Sequence, residues 1–199
     1  MLNQLFGMVV CGGKSNRMGE DKSLLNYYGI PQRYYVYEML QAFCEKVFIS
    51  CNREQAKTIS EKYNSIPDNL LYENTGPMAA LLTSFEKHKE VSFLAVGCDY
   101  PFIKKEDLEK LVEARNKNTL AVSYFHKEAG VEEPLLAIYE NACFPLMKNN
   151  FVNKRYSLRY FLKEINASKI IPSNPETIVS IDTAEQYQNA MQIIRSRNK

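Results

Sequence analysis

The pair Gly12-Gly13, followed by Arg17 and Lys22, comes directly after the apolar run Leu5-Phe6-Gly7-Met8-Val9-Val10-Cys11. Two glycines at the end of a buried strand let the main chain approach a ligand closely and turn its N–H groups toward negative charge. Arg17 and Lys22 add fixed positive charge a few residues on. Strand, glycine turn and paired cations together describe a cradle for a triphosphate. The plainer alternative is a flexible turn carrying solvated basic residues, and the fixed spacing behind an apolar strand argues against it.

Other residues carry chemistry with a structural alternative beside it. The apolar run Ser92-Phe93-Leu94-Ala95-Val96-Gly97-Cys98 ends in Asp99, ahead of Tyr100-Pro101-Phe102. A hard divalent cation on a triphosphate wants one or two carboxylates, with phosphate oxygens and waters for the rest. Asp99 can supply one, or it can simply start a turn before proline. Asp182 with Glu185 reads as a capping box just before a helix. Asn52 with Gln55 reads as a ligand contact or a helix cap. Lys154, Arg155, Arg159 and Lys163, set against Glu164, form a local basic face, which by itself reads as a solvated helix face.

Two familiar nucleotide motifs are excluded. A P-loop needs a glycine six residues before its lysine, but Met8 stands there and Gly7 is one place too early. No G-x-G-x-x-G occurs either. No Ser/His/Asp or Cys/His set suggests nucleophilic catalysis. His88 and His126 are the only histidines and read as surface residues.

Strands are expected at 5–10, 46–50, 69–72, 92–96, 120–125, 134–139 and 168–171, with 178–181 a candidate short eighth. Helical patterns lie at 32–44, 53–63, 77–87, 105–116, 141–148, 157–164 and 183–197. Alternation with short connections predicts a Rossmann-like α/β three-layer sandwich, with a mostly parallel central sheet and helices on both faces. The rhythm loosens after Tyr124, and the strand beyond it is expected to run antiparallel. Ligands bind at the carboxyl ends of such strands. The first four are expected to end at Gly12, Asn52, Glu73 and Asp99, which one pocket would require.

The 199 residues have one domain's worth of material, read as a single domain over 1–199. A net charge of +2 gives no general polyanion surface and argues against a nucleic-acid partner. No stretch approaches a membrane span, and no leader is apparent, so a cytoplasmic protein is expected. Five cysteines without a C-x-x-C pair read as reduced, mostly buried thiols.

The string G-G-x-S-x-R-M-G-x-D-K from Gly12 to Lys22 resembles the nucleotidyltransferase family, and within it the molybdenum cofactor guanylyltransferases. C-D-x-P-F at Cys98–Phe102 is similar to that family's metal-binding strand end. The resemblance implies transfer of GMP from GTP to molybdenum-bound molybdopterin with Mg²⁺ as cofactor. Molybdoenzymes or cofactor-delivery proteins are the implied partners. Arg17, Lys22 and Asp99 would be catalytic; Asp99 and Asp182 would hold metal. Val10, Cys11, Gly12, Gly13, Lys22, Asn52, Glu73, Gly76 and Asp99 would line the nucleotide. Glu133–Ala137 and 153–163 fall where the family takes its pterin, which points to Arg155 and Arg159. One departure is Ala80, where the family's G-P-L-x-G segment closes on glycine, and its methyl is expected to crowd a guanine. A cytidylyltransferase, a sugar-phosphate nucleotidyltransferase or a non-catalytic nucleotide-binding module stand as alternatives.

Overall fold

The computed structural model describes residues 2–11 and 21–197. The first strand, β1 (Leu5–Val10), is buried along its whole length. Its side chains alternate between two cores, as strand geometry requires. Leu5 and Val9 pack on one face with Val36, Leu40, Leu108 and Leu111. Phe6, Met8 and Val10 pack on the other with Leu81, Phe85, Met147 and Phe161. Those partners lie on α1 (Gln32–Leu40) and α4 (Lys105–Glu113) for the first face, and on α3 (Met78–Lys87), α5 (Cys143–Val152) and α6 (Leu158–Glu164) for the second. Helices on both faces explain why β1 reads as an unbroken apolar run.

The remaining strands are β2 (Lys46–Cys51), β3 (Ser65–Pro67), β4 (Ser92–Gly97), β5 (Ala121–His126), β6 (Val131–Tyr139) and β7 (Ser168–Ile170). The sheet order is β3-β2-β1-β4-β6-β5-β7. All neighbours are parallel except β6, which runs antiparallel to β4 and β5, as the loosened rhythm after Tyr124 predicts. The chain goes from β1 to β2 on one side and later to β4 on the other. A crevice therefore opens at the carboxyl ends of β1 and β4, where a doubly wound sheet takes its ligand.

Three expected elements differ. Residues 69–72 form a 3-10 turn (Leu70–Tyr72), not a strand; the Asn69 side chain accepts from Leu71 N at 3.0 Å, and Leu70 and Leu71 face solvent. The third strand is instead the short β3, whose Pro67 is tolerated at a sheet edge. Helix α2 stops after one turn (Arg53–Ala56), because its cap starts it but no apolar periodicity carries it on. No eighth strand forms at 178–181 among the described residues; a 3-10 turn (Pro175–Ile178) ends there.

The last helix, α7 (Ala184–Arg197), has its own small core. Ile181, Ala190 and Ile194 meet Leu25, Tyr27 and Phe102. That cluster sits beyond the carboxyl end of the sheet and brings the end of the chain to the crevice. Cys11, Cys51, Cys98 and Cys143 are buried free thiols and Cys44 is half-buried. His88 is not a surface residue: it is half-buried against Phe6 and Phe48, and burial lowers its pKa. No helix among the described residues is long and apolar enough to cross a membrane.

Candidate active site

At the end of β1 the Val10 carbonyl accepts from Cys98 N at 3.2 Å, and Cys11 N donates to Ser50 O at 3.0 Å. Three parallel strand ends are thus tied together. Gly12, Gly13 and Arg17 lie outside the described residues. The chain returns at Asp21, whose Oδ1 accepts from Ser23 N at 2.9 Å and so caps a 3-10 turn, Lys22–Leu24. The cap sets the direction in which Lys22 leaves the backbone. Its ammonium lies 2.5 Å from Asp182 Oδ1, with the lysine side chain 19% exposed and the aspartate 46%.

Asp182 reaches this place because Ile181 N donates to the Asp99 carbonyl at 2.9 Å. The capping box of α7 is not the Asp182–Glu185 pair that the sequence suggests. Gln186 N donates to Thr183 Oγ1 at 3.2 Å, while Gln186 Oε1 accepts from Asp182 N at 2.7 Å and Thr183 N at 3.0 Å. Thr183 and Gln186 satisfy the helix start, so the Asp182 carboxylate is free for Lys22.

Asp99 follows β4 and is half-buried, with Oδ1 enclosed and without a hydrogen-bond partner among the described residues. Burial pushes its pKa up to about 6; Asp182 and Glu133 push the same way, and Lys22 opposes them. Gly97 makes room for this arrangement, since a Cβ there would stand 2.4 Å from Asp99 Oδ1. A buried carboxylate oxygen without donors is costly alone and is suited to a cation. Among the described residues no cluster of three or more Asp, Glu, His or Cys forms a closed metal site. Asp99 and Asp182 make an open pair of oxygen donors, which suits a hard ion that keeps substrate oxygens and waters.

Beside the crevice lies a cavity of about 590 Å³ lined by Asn52, Arg53, Asp68, Glu73, Gly76 and Ala79, among others. Asn52 is both cap and lining. Its Oδ1 accepts from Gln55 N at 2.8 Å, and Gln55 Oε1 returns the bond to Asn52 N. Glu73 does not end a strand; it follows the 3-10 turn and sits exposed on the rim. Gly76 turns the chain with φ +62°, a conformation other residues reach only with strain. The methyl of Ala80 does not enter the cavity: it is 2% exposed and packs in the second core, while Ala79 faces the space. The expected crowding of a base is therefore removed.

The sequence reading missed Asp68 and Gln55. Asp68 follows β3, takes a hydrogen bond from Ser50 Oγ at 2.9 Å and faces the cavity. Burial raises its pKa to about 6, against the pull of Ser50. Recognising β3 would have placed Asp68 at a strand end. Gln55 was legible only as a cap.

The two arginines expected near an acceptor are not brought together. Arg155 Nη1 pairs with Glu164 at 3.2 Å, joining α5 to α6. Arg159 Nη2 reaches both oxygens of buried Glu133 at 3.4 Å, and Glu133 also accepts from Tyr100 OH at 3.0 Å. Arg159 is thus linked to the residue beside Asp99, and Arg155 is not. The Arg159 side chain is 55% exposed, and its Nε also donates to the Glu132 carbonyl at 3.2 Å.

A family model for the MobA-like NTP transferase domain matches residues 7–169. The molybdenum cofactor biosynthesis bifunctional protein of Synechocystis sp. is 32% identical over 185 residues, 92% of this chain and 52% of that protein. The chain thus spans about half the length of that relative. A probable molybdenum cofactor guanylyltransferase of Halalkalibacterium halodurans is 26% identical over 166 residues, 80% of this chain and 82% of its own. The crystal structure of molybdopterin-guanine dinucleotide biosynthesis protein A from Archaeoglobus fulgidus superposes with a TM-score of 0.79, at 22% identity, over 96% of this chain and 99% of that one. It shows the same fold.

Proposed function

The chain belongs to the MobA-like NTP transferase family, and from that membership and the geometry above we propose that it transfers GMP from GTP to the phosphate of molybdenum-bound molybdopterin, releasing pyrophosphate. The observation that carries the reading is the meeting of Lys22, Asp99 and Asp182 at the carboxyl ends of β1 and β4, beside a cavity of nucleoside size. The reaction belongs in the cytoplasm, where the molybdoenzymes or delivery proteins that receive the product are the natural partners.

The acceptor needs little activation. A phosphate monoester with a second pKa near ~6 is already mostly dianionic at neutral pH. The chain's task is then positioning and charge neutralisation. Lys22 exchanges Asp182 for the triphosphate and stabilises charge on the departing pyrophosphate. Arg17 would share that charge, and the main chain from Val10 through Cys11, Gly12 and Gly13 would seat the nucleotide. Asp99 and Asp182 would hold Mg²⁺, which would supply charge neutralisation at the phosphate oxygens.

On the nucleoside side, Asn52, Glu73 and Gly76 bound the base and sugar. Guanine presents an N–H and an NH₂ along one edge, and the Asp68 carboxylate is a pure acceptor when ionised. Cytosine lacks that paired donor edge. Arg159, linked through Glu133 to the Asp99 neighbourhood, would meet the acceptor phosphate; Arg155 serves the α5–α6 connection. A melting-temperature panel of the four nucleoside triphosphates with Mg²⁺ tests the base, since a ligand held only by the native state raises its stability. GTP should give the largest shift, and a larger one with CTP or UTP would overturn guanine. Product formation from labelled GTP and molybdopterin tests turnover.

A further inference from the structure

Gln55 carries four side-chain and cap contacts at the crevice. Its amide nitrogen donates to the Cys11 carbonyl at 3.1 Å and to Asp21 Oδ2 at 3.1 Å. Its amide oxygen accepts from Asn52 N at 3.1 Å, and its own backbone N–H donates to Asn52 Oδ1 at 2.8 Å. The side chain is buried, at 9% exposure, and both donors and the acceptor are engaged.

Each contact leads to a different part of the site. Cys11 follows the last residue of β1, and Asp21 immediately precedes Lys22. The other Asp21 oxygen caps the turn that begins with Lys22. Asn52 lines the nucleoside cavity. One amide therefore ties the base of the lysine to the strand end and to the cavity wall.

We propose that Gln55 is a positioning residue that sets the span between Lys22 and the Asn52 wall, so that the site favours an intact nucleoside triphosphate over its separate parts. This rests on the nucleotide reading given under Proposed function. Two half-sites held at the right distance bind a joined ligand better than either half alone, because the ordering cost is met once, in the fold. Without the clasp each half-site survives, and their registration is lost.

The test uses the whole chain with two substitutions. Gln55→Met removes the donors while keeping volume. Gln55→Glu keeps the acceptor for Asn52 N–H but turns an oxygen on the Cys11 carbonyl and the Asp21 carboxylate. Calorimetric titration with Mg·GTP should show affinity falling about tenfold or more, the scale of a lost hydrogen bond to a charged group. Titration with inorganic pyrophosphate and with guanosine should stay within about threefold, as expected when each half-site is left whole. Gln55→Glu should be the weaker binder of the two.

Equal losses for GTP, pyrophosphate and guanosine would mean general damage and would overturn the proposal, as would unchanged GTP affinity in both variants. Amide hydrogen exchange supplies a ligand-free measurement: Ser23 N–H, capped by Asp21, should exchange faster in both variants while β1 and β4 amides hold. Should the wild-type protein bind no nucleoside triphosphate, the functional reading fails. The clasp is then judged on exchange, and an unchanged rate at Ser23 overturns it.

Discussion

The two ends of the sheet treat charge in opposite ways. At the amino-terminal end Arg115 forks onto Glu140, with Nε to Oε1 at 2.8 Å and Nη2 to Oε2 at 3.0 Å. Ser92 Oγ adds a bond to Glu140 at 2.5 Å, and Arg115 also donates to the Asn3 carbonyl at 3.1 Å. Both side chains are nearly inaccessible, at 7% and 11% exposure. The Arg115 and Glu140 charges are spent on each other. At the carboxyl end the Asp99 Oδ1, Ser23 Oγ, Tyr27 hydroxyl and Gln32 Oε1 are buried without partners among the described residues, and Lys22 meets a half-exposed aspartate. The closed end holds strands together, and the open end keeps polar capacity in reserve. Stability and chemistry are thus separated along the strand axis.

Four measurements would break or sharpen that contrast, and the largest effect belongs to the open end. Asp99→Asn should leave the melting temperature close to wild type and cut turnover about a thousandfold, as loss of several kcal/mol of metal-borne charge stabilisation implies. Near-normal pyrophosphate release at saturating Mg²⁺ would erase the distinction. At the closed end Arg115→Ala should strand the buried Glu140 charge and cost about 3–5 kcal/mol of folding stability. Turnover per folded molecule, measured after denaturant titration, should be unchanged. A variant that melts normally but is catalytically dead would invert the comparison.

Lys22→Ala comes next, with triphosphate affinity falling roughly tenfold to a hundredfold, the usual range for a charge-assisted contact. Stability should change little, because a partly exposed ion pair contributes little to folding. Arginine should rescue it only in part, since a planar fork cannot stand where a compact ammonium does. Retained affinity in the alanine variant would remove Lys22 from the phosphate site.

The smallest effect is in the pH profile of the ligand-free protein. Asp68 and Asp99 both have pKa values raised to about 6 by burial. Between the ordinary carboxylate value near ~4 and about 6, the folded chain holds more protons than the unfolded chain. Their contribution to stability therefore declines as pH rises through that window and levels off above it. Asp68→Asn should flatten part of the decline in melting temperature from pH 4 to 6. A decline of unchanged steepness would show that Asp68 is not held by burial.

The sheet and the open end were legible in the sequence to different depths. The strands β1, β2 and β4 announce themselves because burial on both faces makes them continuous apolar runs, and Asp99 is visible as the charge that ends one. The short edge strand β3 carries too few residues to show a period, so Asp68 went unnoticed. The start of α7 shows another limit. Asp182-x-x-Glu185 and Thr183-x-x-Gln186 are overlapping capping patterns one residue apart, and only the main-chain path decides which one closes. Arg155 and Arg159 lie on one basic stretch, yet one turns to Glu164 and the other to Glu133, a choice made by tertiary packing. Gln55 was hidden for a related reason: its partners at Cys11 and Asp21 are distant in sequence, and no local pattern records a bond across that distance.

The docking of α7 has a consequence for how the molecule comes into being. Strands β1, β2 and β4, with the lysine, are translated early, whereas Asp182 arrives only with the segment that packs Ile181, Ala190 and Ile194 onto Leu25, Tyr27 and Phe102. The central strands are therefore all synthesised while one of the two carboxylates at the crevice is still unmade. A chain cut before Asp182 would contain Lys22 and all of those strands but lack the carboxylate that the lysine meets.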